Sequence, residues 1–420
     1  MSNFSPLERS LAKVLSKVPF VKSIAKYFYA RLVYLANSSP EKIVTSKKVD
    51  MLGVSAEETF FGYYDKSPIN RNGLVLFYST NSPTNKAPNL EPVTINVYCT
   101  ETCEIIFSIK TRAYNWQQGS RVHWVSDDEF IFNDYDSHSD SYYSRLFSVS
   151  KKLEIMSYSF PIQDTYQKDY FLSINYERLM SLRPDYGYRN KKILSKCDLY
   201  NANDDGIWKI DFKTNEANIL ISIDELCKKF PNKLFANALH KINHVMISPN
   251  GENFIFMHRY LINGQRFDRL FVCDKCGGNI KLLADNGMVS HCFWKGNNTI
   301  FGYLRGKGGK DGYWIIDIDN LEFTPFKNTL LETLGDGHPH VFGDYFITDT
   351  YPNKARMQKL LLGNFRTGNV EVIGEFFHGF SYSGESRCDL HPRFSIDGKY
   401  VFFDSVFTGK RNLYKMEVSL

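Results

Sequence analysis

The stretch that decides the fold is Phe394-Ser395-Ile396-Asp397-Gly398-Lys399-Tyr400-Val401-Phe402-Phe403-Asp404. Ser and Asp side chains bond the backbone two residues on, and Gly accepts the positive φ that a tight turn needs. The flanking runs have no helical period and are rich in aromatic and β-branched residues, so the stretch reads as strand, turn, strand. One hairpin is marginal in water. Its meaning therefore depends on whether it recurs.

It does recur. The same unit stands at His244-Val245-Met246-Ile247-Ser248-Pro249-Asn250-Gly251 with Phe254-Ile255-Phe256. Further copies are Tyr63 to Phe77, Val122 to Phe132, His291 to Phe301 and His338 to Ile347. A second hairpin follows each copy, at 95–107, 145–158, 206–223, 269–283, 312–326 and 359–376, and a lone strand follows at 412–418. That makes seven second halves. The irregular third unit has no clear first half, and Phe171-Leu172-Ser173-Ile174-Asn175 is predicted to serve as its inner strand. A four-strand unit repeating every ~45–55 residues is a propeller blade. The fold class is thus all-β, a seven-bladed β-propeller over residues 43–420. The last blade ends one strand short, and 44–54 is predicted to supply that strand and close the ring, leaving no open sheet edge.

Ahead of the propeller, residues 1–42 read as a basic amphipathic helical segment. Leu7, Leu11, Val14, Leu15, Val18, Val21, Ile24, Phe28 and Leu32 recur at helical steps between lysines, with Pro19 as a kink. Such a segment suits the anionic face of a membrane, and packing beneath the propeller is the alternative. The 420 residues carry 15% aromatics and a net charge of +5. That charge is too small to argue for nucleic acid. The eight cysteines show no scaffold spacing. No secretory h-region opens the chain and no apolar run reaches membrane-span length. The expected setting is cytoplasmic, at the inner face of a membrane, with the protein a monomer. Three motifs carry little: the lone Cys273-Asp274-Lys275-Cys276, the glycine-rich 306–310, and the two Asp-x-Asp patterns at 134–136 and 317–319.

In a propeller the inner strands line one channel, so their first residues converge at its mouth. Counting four residues back from the turn Ser gives Tyr63, His244 and His391, and the matching place in other blades holds His291 and His338. His340 and His123 fall close by. Six of the ten histidines start inner strands in this way. His291, His338, His340, Cys388 and His391 come from three consecutive blades and are candidate ligands of one divalent ion, with Asp336 orienting a ligand. Arg121, Arg183, Arg259 and Arg387 lie near inner-strand ends, and Tyr186 and Tyr188 in the loop of the third blade. Arginine forks pair with carboxylates, and Tyr and His move protons. The set suits a uronic acid losing its α-proton and its C4 substituent.

The motifs Ser-His-x-x-Trp at 290–294, Asp-Gly-His-Pro-His at 336–340 and Cys-Asp-Leu-His-Pro-Arg-Phe-Ser-x-Asp-Gly at 388–398 resemble those of seven-bladed propeller polysaccharide lyases, oligogalacturonate and ulvan lyases among them. The resemblance spans roughly residues 55–420. It implies a carbon–oxygen lyase acting by β-elimination on a uronic-acid-containing glycan, with Zn²⁺ or Mn²⁺ bound by histidines. His291, His338 and His340 match the metal motif of the oligogalacturonate group, and Cys388 and His391 the zinc site of the ulvan group. His123, Tyr188, His244 and Arg259 are the implied catalytic set, with Tyr63, Arg121, Arg183 and Arg387 binding substrate. The alternatives are a glycan-assembly protein of the glycosyltransferase kind and a propeller that binds glycan without catalysis.

Overall fold

Seven antiparallel sheets are arranged as blades around a channel. The structure is a computed structural model that describes residues 19–53 and 56–420, with the backbone alone for 19–27. The blades follow chain order, each running from the channel outward: 58–111, 123–158, 164–222, 239–284, 289–325, 340–377 and 393–417.

The ring closes through the N-terminal strands. Val49–Leu52 pairs antiparallel with Asn412–Glu417, in the register Val49↔Met416 and Leu52↔Leu413, and so completes blade 7. Ile43–Val44 adds an unexpected fifth strand to blade 6, opposite Phe376 and Glu375. Two consecutive blades are therefore held by the start of the chain, and the edge that would template aggregation is covered.

Blade 3 differs from expectation. Its inner strand is Asp164–Tyr166, and Tyr170–Ile174 is the second strand, in the register Asp164↔Leu172. Asp-Thr-Tyr carries no apolar signal. It is tolerated inside because the buried Asp164 carboxylate accepts the Ile247 N–H at 2.7 Å and pairs with Lys66. The Arg- and Tyr-rich stretch that follows folds into two short helices, Tyr176–Leu182 and Lys196–Tyr200. Tyr176 and Tyr188 stack there at 4.4 Å with planes 8° apart.

Of the helical segment expected over 6–36, residues 6–18 lie outside the described residues. The rest is the helix Pro19–Asn37. Its Tyr34 packs on Phe377 at the end of blade 6 and on Phe380 just beyond it, with Arg31 5.0 Å above the Phe380 ring. Among the described residues no helix is long and apolar enough to cross a membrane.

One device aligns the inner strands. A residue on the second strand of a blade binds the backbone where the chain enters the next blade. Tyr78 Oη accepts Ser120 N–H and Val122 N–H at 2.8 and 3.1 Å. Asn133 accepts Ile162 N–H at 2.5 Å and donates to Ile162 O at 2.8 Å. Asp349 accepts His391 N–H at 3.0 Å, and Asp404 accepts Phe61 N–H and Gly62 N–H at 3.0 and 2.9 Å. Buried bonds of this kind fix geometry, and the two charge-assisted ones, at Asp349 and Asp404, set residues at the channel mouth.

Candidate functional site

Four histidines from four consecutive blades meet at one mouth of the channel. His244 belongs to blade 4, His291 to blade 5, His338 to blade 6 and His391 to blade 7. Their ring centroids are spaced 5.7 Å from His244 to His291, 4.0 Å from His291 to His338 and 4.3 Å from His338 to His391.

Irregular backbone aims them. His244 lies within a register shift between Asn243 and Met246, at φ 52°, and His291 within a shift between Val289 and Cys292. Bulges of this kind redirect side chains next to functional sites. His391 stands at φ 43°, a left-handed conformation that costs a non-glycine residue of order 1–3 kcal/mol. Asp349 holds His391 in place. One carboxylate oxygen accepts His391 N–H, and the other accepts both His338 N–H and His338 Nδ1–H, each at 2.8 Å.

That bond places a proton on His338 Nδ1, so Nε2 is the nitrogen that can act as a ligand when the ring is neutral. His338 Nε2 and His391 Nε2 are both buried without a hydrogen-bond partner. Asp389 joins them, and the donor atoms of His338, Asp389 and His391 all lie within 4.8 Å of one another. Buried polar atoms are rarely left unpaired, so a pair of bare imidazole nitrogens beside a carboxylate is the chemistry of a divalent-ion site. His291 extends the set, with Nδ1 3.3 Å from Asp336, whose second oxygen accepts the Ser290 hydroxyl at 2.5 Å.

The electrostatics follow from burial against local charge. Burial opposes ionisation of Asp389, yet the forked Arg387 guanidinium, at 2.6–2.8 Å, holds its carboxyl well below the usual range. Burial raises Asp336 to about 6. Burial, then Arg259 and the neighbouring histidines, push His244 well below its ordinary value. For His338 burial also favours the neutral ring, but Asp349 outweighs it and the pKa is raised.

Aromatic and cationic groups line the approach. The Tyr63 hydroxyl lies 2.5 Å from His244 Nδ1, and the Tyr63 ring is 5.1 Å from His391. Tyr64 lies beneath His291, His338 and His391 and donates to Cys292 O at 2.9 Å. Tyr186 packs edge-on to both Tyr63 and His244. Arg183 lies over Tyr186, Arg387 over Tyr351, and both arginine side chains are 25% exposed. Asn243 is buried next to His244 with neither amide atom bonded.

The remaining sequence candidates sit elsewhere. Cys388 and Asp389 are adjacent in the chain but their side chains enter different surroundings. Asp389 takes the site, and Cys388 is buried with Tyr382 and Val406 between blades. His340 does not join the ion-binding group. Its ring packs against Phe293 at 4.4 Å and Phe394 at 5.9 Å, and burial pushes its pKa to about 3. His123 is satisfied at both nitrogens, donating from Nδ1 to Arg121 O at 2.7 Å while Nε2 lies 3.0 Å from Thr165 Oγ1. Arg121 is locked to Asp65 at 2.6 and 3.0 Å. Tyr188 lies in the wall between blades 2 and 3, where its hydroxyl accepts from Asn133 Nδ2 at 2.8 Å. Arg259 pairs with Asp268 at 2.8 Å, close enough to His244 and His291 to depress both.

Sequence reasoning did not assign roles to Asp349, Asp389, Tyr64, Tyr351 or Asn243. A signal for Asp349 was present, since it ends a second strand and Asp404 stands one residue before the end of the corresponding strand one blade later.

Two solved oligogalacturonate lyases share this ring. One, in complex with manganese, aligns with 15% identity and a TM-score of 0.61 over 89% of this chain and 94% of its own. The other, from Vibrio parahaemolyticus, aligns with 13% identity and a TM-score of 0.60 over 90% and 96%. The likeness to the oligogalacturonate lyases is one of fold. A prolyl endopeptidase also aligns, with 10% identity and a TM-score of 0.51 over 87% of this chain but 50% of its own. The same propeller thus accompanies unrelated chemistry. No protein-family profile matches the chain, and no curated protein matches its sequence.

Proposed function

We propose that the protein cleaves an acidic oligosaccharide by β-elimination at a uronate residue, with the histidine cluster as the reacting centre. The observation that carries this reading is the pair of buried ring nitrogens without hydrogen-bond partners, His338 Nε2 and His391 Nε2, beside Asp389. His291, His338, His391 and Asp389 are the residues that would hold a divalent ion, Mn²⁺ or Zn²⁺. When bound, such an ion supplies positive charge that neutralises a uronate carboxylate and acidifies the adjacent C–H.

The chain's own groups supply the rest. Arg183 and Arg387 attract the carboxylate at the mouth. Tyr351 offers its exposed ring to the sugar, with the buried Tyr63 and Tyr186 beneath. His244 is neutral at pH 7 and takes the proton from C5. The C4–O bond breaks, a C4=C5 double bond forms, and the Tyr63 hydroxyl protonates the departing oxygen. The imidazolium then passes its Nδ1 proton to the Tyr63 phenolate 2.5 Å away, which leaves both groups neutral, and exchange with water resets the His244 tautomer. Arg259, paired with Asp268, keeps His244 deprotonated between turnovers.

The test is turnover of uronate oligosaccharides by the full chain with added Mn²⁺ or Zn²⁺, read as the ultraviolet absorbance of the new unsaturated uronate. His244→Ala and Tyr63→Phe are each expected to lower the rate by about 10²–10⁴-fold, the usual contribution of general acid–base catalysis. Wild-type protein that binds these glycans without producing the chromophore would sink the lyase reading in favour of a binding propeller. Turnover unaffected in both variants would sink the assigned roles.

The helix Pro19–Asn37 supports a second proposal, peripheral contact with an anionic membrane surface. Leu32 and Leu35 are 65% and 72% exposed on a segment that carries Lys22 and Lys26. Cosedimentation with phosphatidylglycerol vesicles that survives Leu32→Asp and Leu35→Asp together would remove this helix as the contact.

A further inference from the structure

A second cluster of soft and nitrogen donors lies away from the channel mouth. The helix Ile223–Lys229 follows blade 3 and starts with a capping box between Ser222 and Glu225. It carries Cys227 onto the first two strands of blade 4, Leu239–Ile247 and Asn253–Ile262, which contribute His240 and His258. The three donor atoms lie within 4.8 Å of one another. His240 Nδ1 is 3.0 Å from His258 Nε2 and 3.7 Å from Cys227 Sγ.

Those distances can be set against a known coordination shape. A tetrahedral zinc ion with Zn–S of about 2.3 Å and Zn–N of about 2.0–2.1 Å places S and N about 3.6 Å apart and two nitrogens about 3.3 Å apart. The observed separations differ from these by a few tenths of an ångström, which small side-chain rotations supply. The imidazole planes are 6° from parallel, and Phe235 packs edge-on to both rings at 5.0 and 5.7 Å. Burial keeps both imidazoles neutral, His240 at about 4 and His258 well below its ordinary value. Neutral imidazole is the ligating form. The nitrogen of His258 that faces away, Nδ1, is buried with no partner, and it is where His258 carries its proton when Nε2 is a ligand.

We propose that Cys227, His240 and His258 form a zinc site, separate from the histidine cluster, that staples the helix Ile223–Lys229 and the loop after it to blade 4. Binding converts the Cys227 thiol to a thiolate and releases its proton to solvent, one per ion. Burial raises the Cys227 thiol to about 11, so the ion itself must displace the proton; nearby Arg269, paired with Asp285 at 3.4 Å, only partly offsets that rise. The fourth position is left to water.

The test uses the full chain, stripped with a chelator and titrated with Co²⁺. Cobalt bound to a thiolate gives a sulfur-to-metal charge-transfer band, and no donor assigned to the other cluster is sulfur. The expected result is one equivalent of the band per chain, displaced by Zn²⁺, retained in His391→Ala and lost in Cys227→Ser and in His258→Gln. Absence of the band in wild-type protein at excess Co²⁺ overturns the proposal, and so does its persistence in Cys227→Ser. The wild-type titration alone decides the matter if a variant fails to fold.

Discussion

His123 and His391 stand at the entry to inner strands two blades apart on the same ring, and their fates differ. His123, on blade 2, has a partner at each nitrogen and sits beside the Arg121–Asp65 pair. His391, on blade 7, has a left-handed backbone and a bare Nε2 facing Asp389. Around His123 the neighbouring polar groups are spent on one another, while around His338 and His391 two ring nitrogens are left without partners. Register brings a histidine to the mouth. Whether it is free to bind something depends on what its neighbours have already taken. The comparison predicts that substitutions on the open side, around His338 and His391, alter binding and chemistry, and that those on the closed side, around His123, alter stability.

The largest effect is expected on the open side. Removing one nitrogen ligand from a divalent site weakens metal binding by far more than the 10–100-fold typical of altering a supporting partner. Mn²⁺ or Zn²⁺ titration of His391→Ala is therefore expected to show a more than 100-fold loss of affinity at the cluster, with the fold retained by circular dichroism. His123→Ala is expected to leave that affinity within twofold. Equal losses in the two variants would erase the distinction between the two sides.

Next in size is the closed side's ion pair. Arg121 and Asp65 are both buried, at 2.6 Å, and Arg121 also donates to Gln163 O. Deleting one partner strands a buried charge, so Arg121→Ala should lower unfolding free energy by about 3–5 kcal/mol. The pair also has a pH signature. Burial opposes ionisation of Asp65, but Arg121 and Lys66 prevail and hold its pKa at about 2 against an ordinary 3.8. A depressed carboxyl pKa favours the folded chain above the unfolded value and ceases to do so as pH falls through the folded one. About 2 kcal/mol should therefore be lost between pH 4 and 2. Urea unfolding of wild type and Arg121→Ala across that range checks the sign. An acid-side slope as steep in the variant as in wild type would mean that Asp65 is not its source.

The sequence made the blades legible because turn chemistry is local. Ser-x-Asp-Gly carries its own reason to turn, so the repeat could be read without knowing any long-range contact. Blade 3 escaped because its inner strand, Asp164–Tyr166, is polar and is kept inside by Ile247 and Lys66, which are distant in sequence. The site divided in the same way. Counting from the turn placed Tyr63, His244, His291, His338 and His391 at one mouth. Cys388 and His340 could not be separated from them by counting. Which surroundings the Cys388 side chain enters, and that Phe293 and Phe394 enclose His340, are facts of packing between blades. Asp349 was hidden for a similar reason. Its role is to hold two backbone N–H groups 11 and 42 residues away.

The smallest expected effect bears most directly on the comparison. Thr165 Oγ1 lies 3.0 Å from His123 Nε2 and is the only reason given by the geometry for that nitrogen to be quiet. His123 Nδ1–H is committed to Arg121 O, so Nε2 is the acceptor and Thr165 the donor. Thr165→Val keeps the shape and removes the donor, leaving a buried acceptor unpaired. Thr165 is half-buried, so water can partly replace the bond, and the expected cost is about 1 kcal/mol. The informative readout is the metal titration. An unpaired His123 Nε2 has Lys66, Arg121 and Asp65 as its charged neighbours, and the two cations, which repel an ion, outweigh the one carboxylate, which Arg121 already occupies. No new metal binding should therefore appear, whereas on the open side a bare nitrogen faces the carboxylate of Asp389. A second equivalent of Mn²⁺ or Zn²⁺ bound by Thr165→Val and absent from wild type would show that a bare nitrogen suffices without a facing carboxylate.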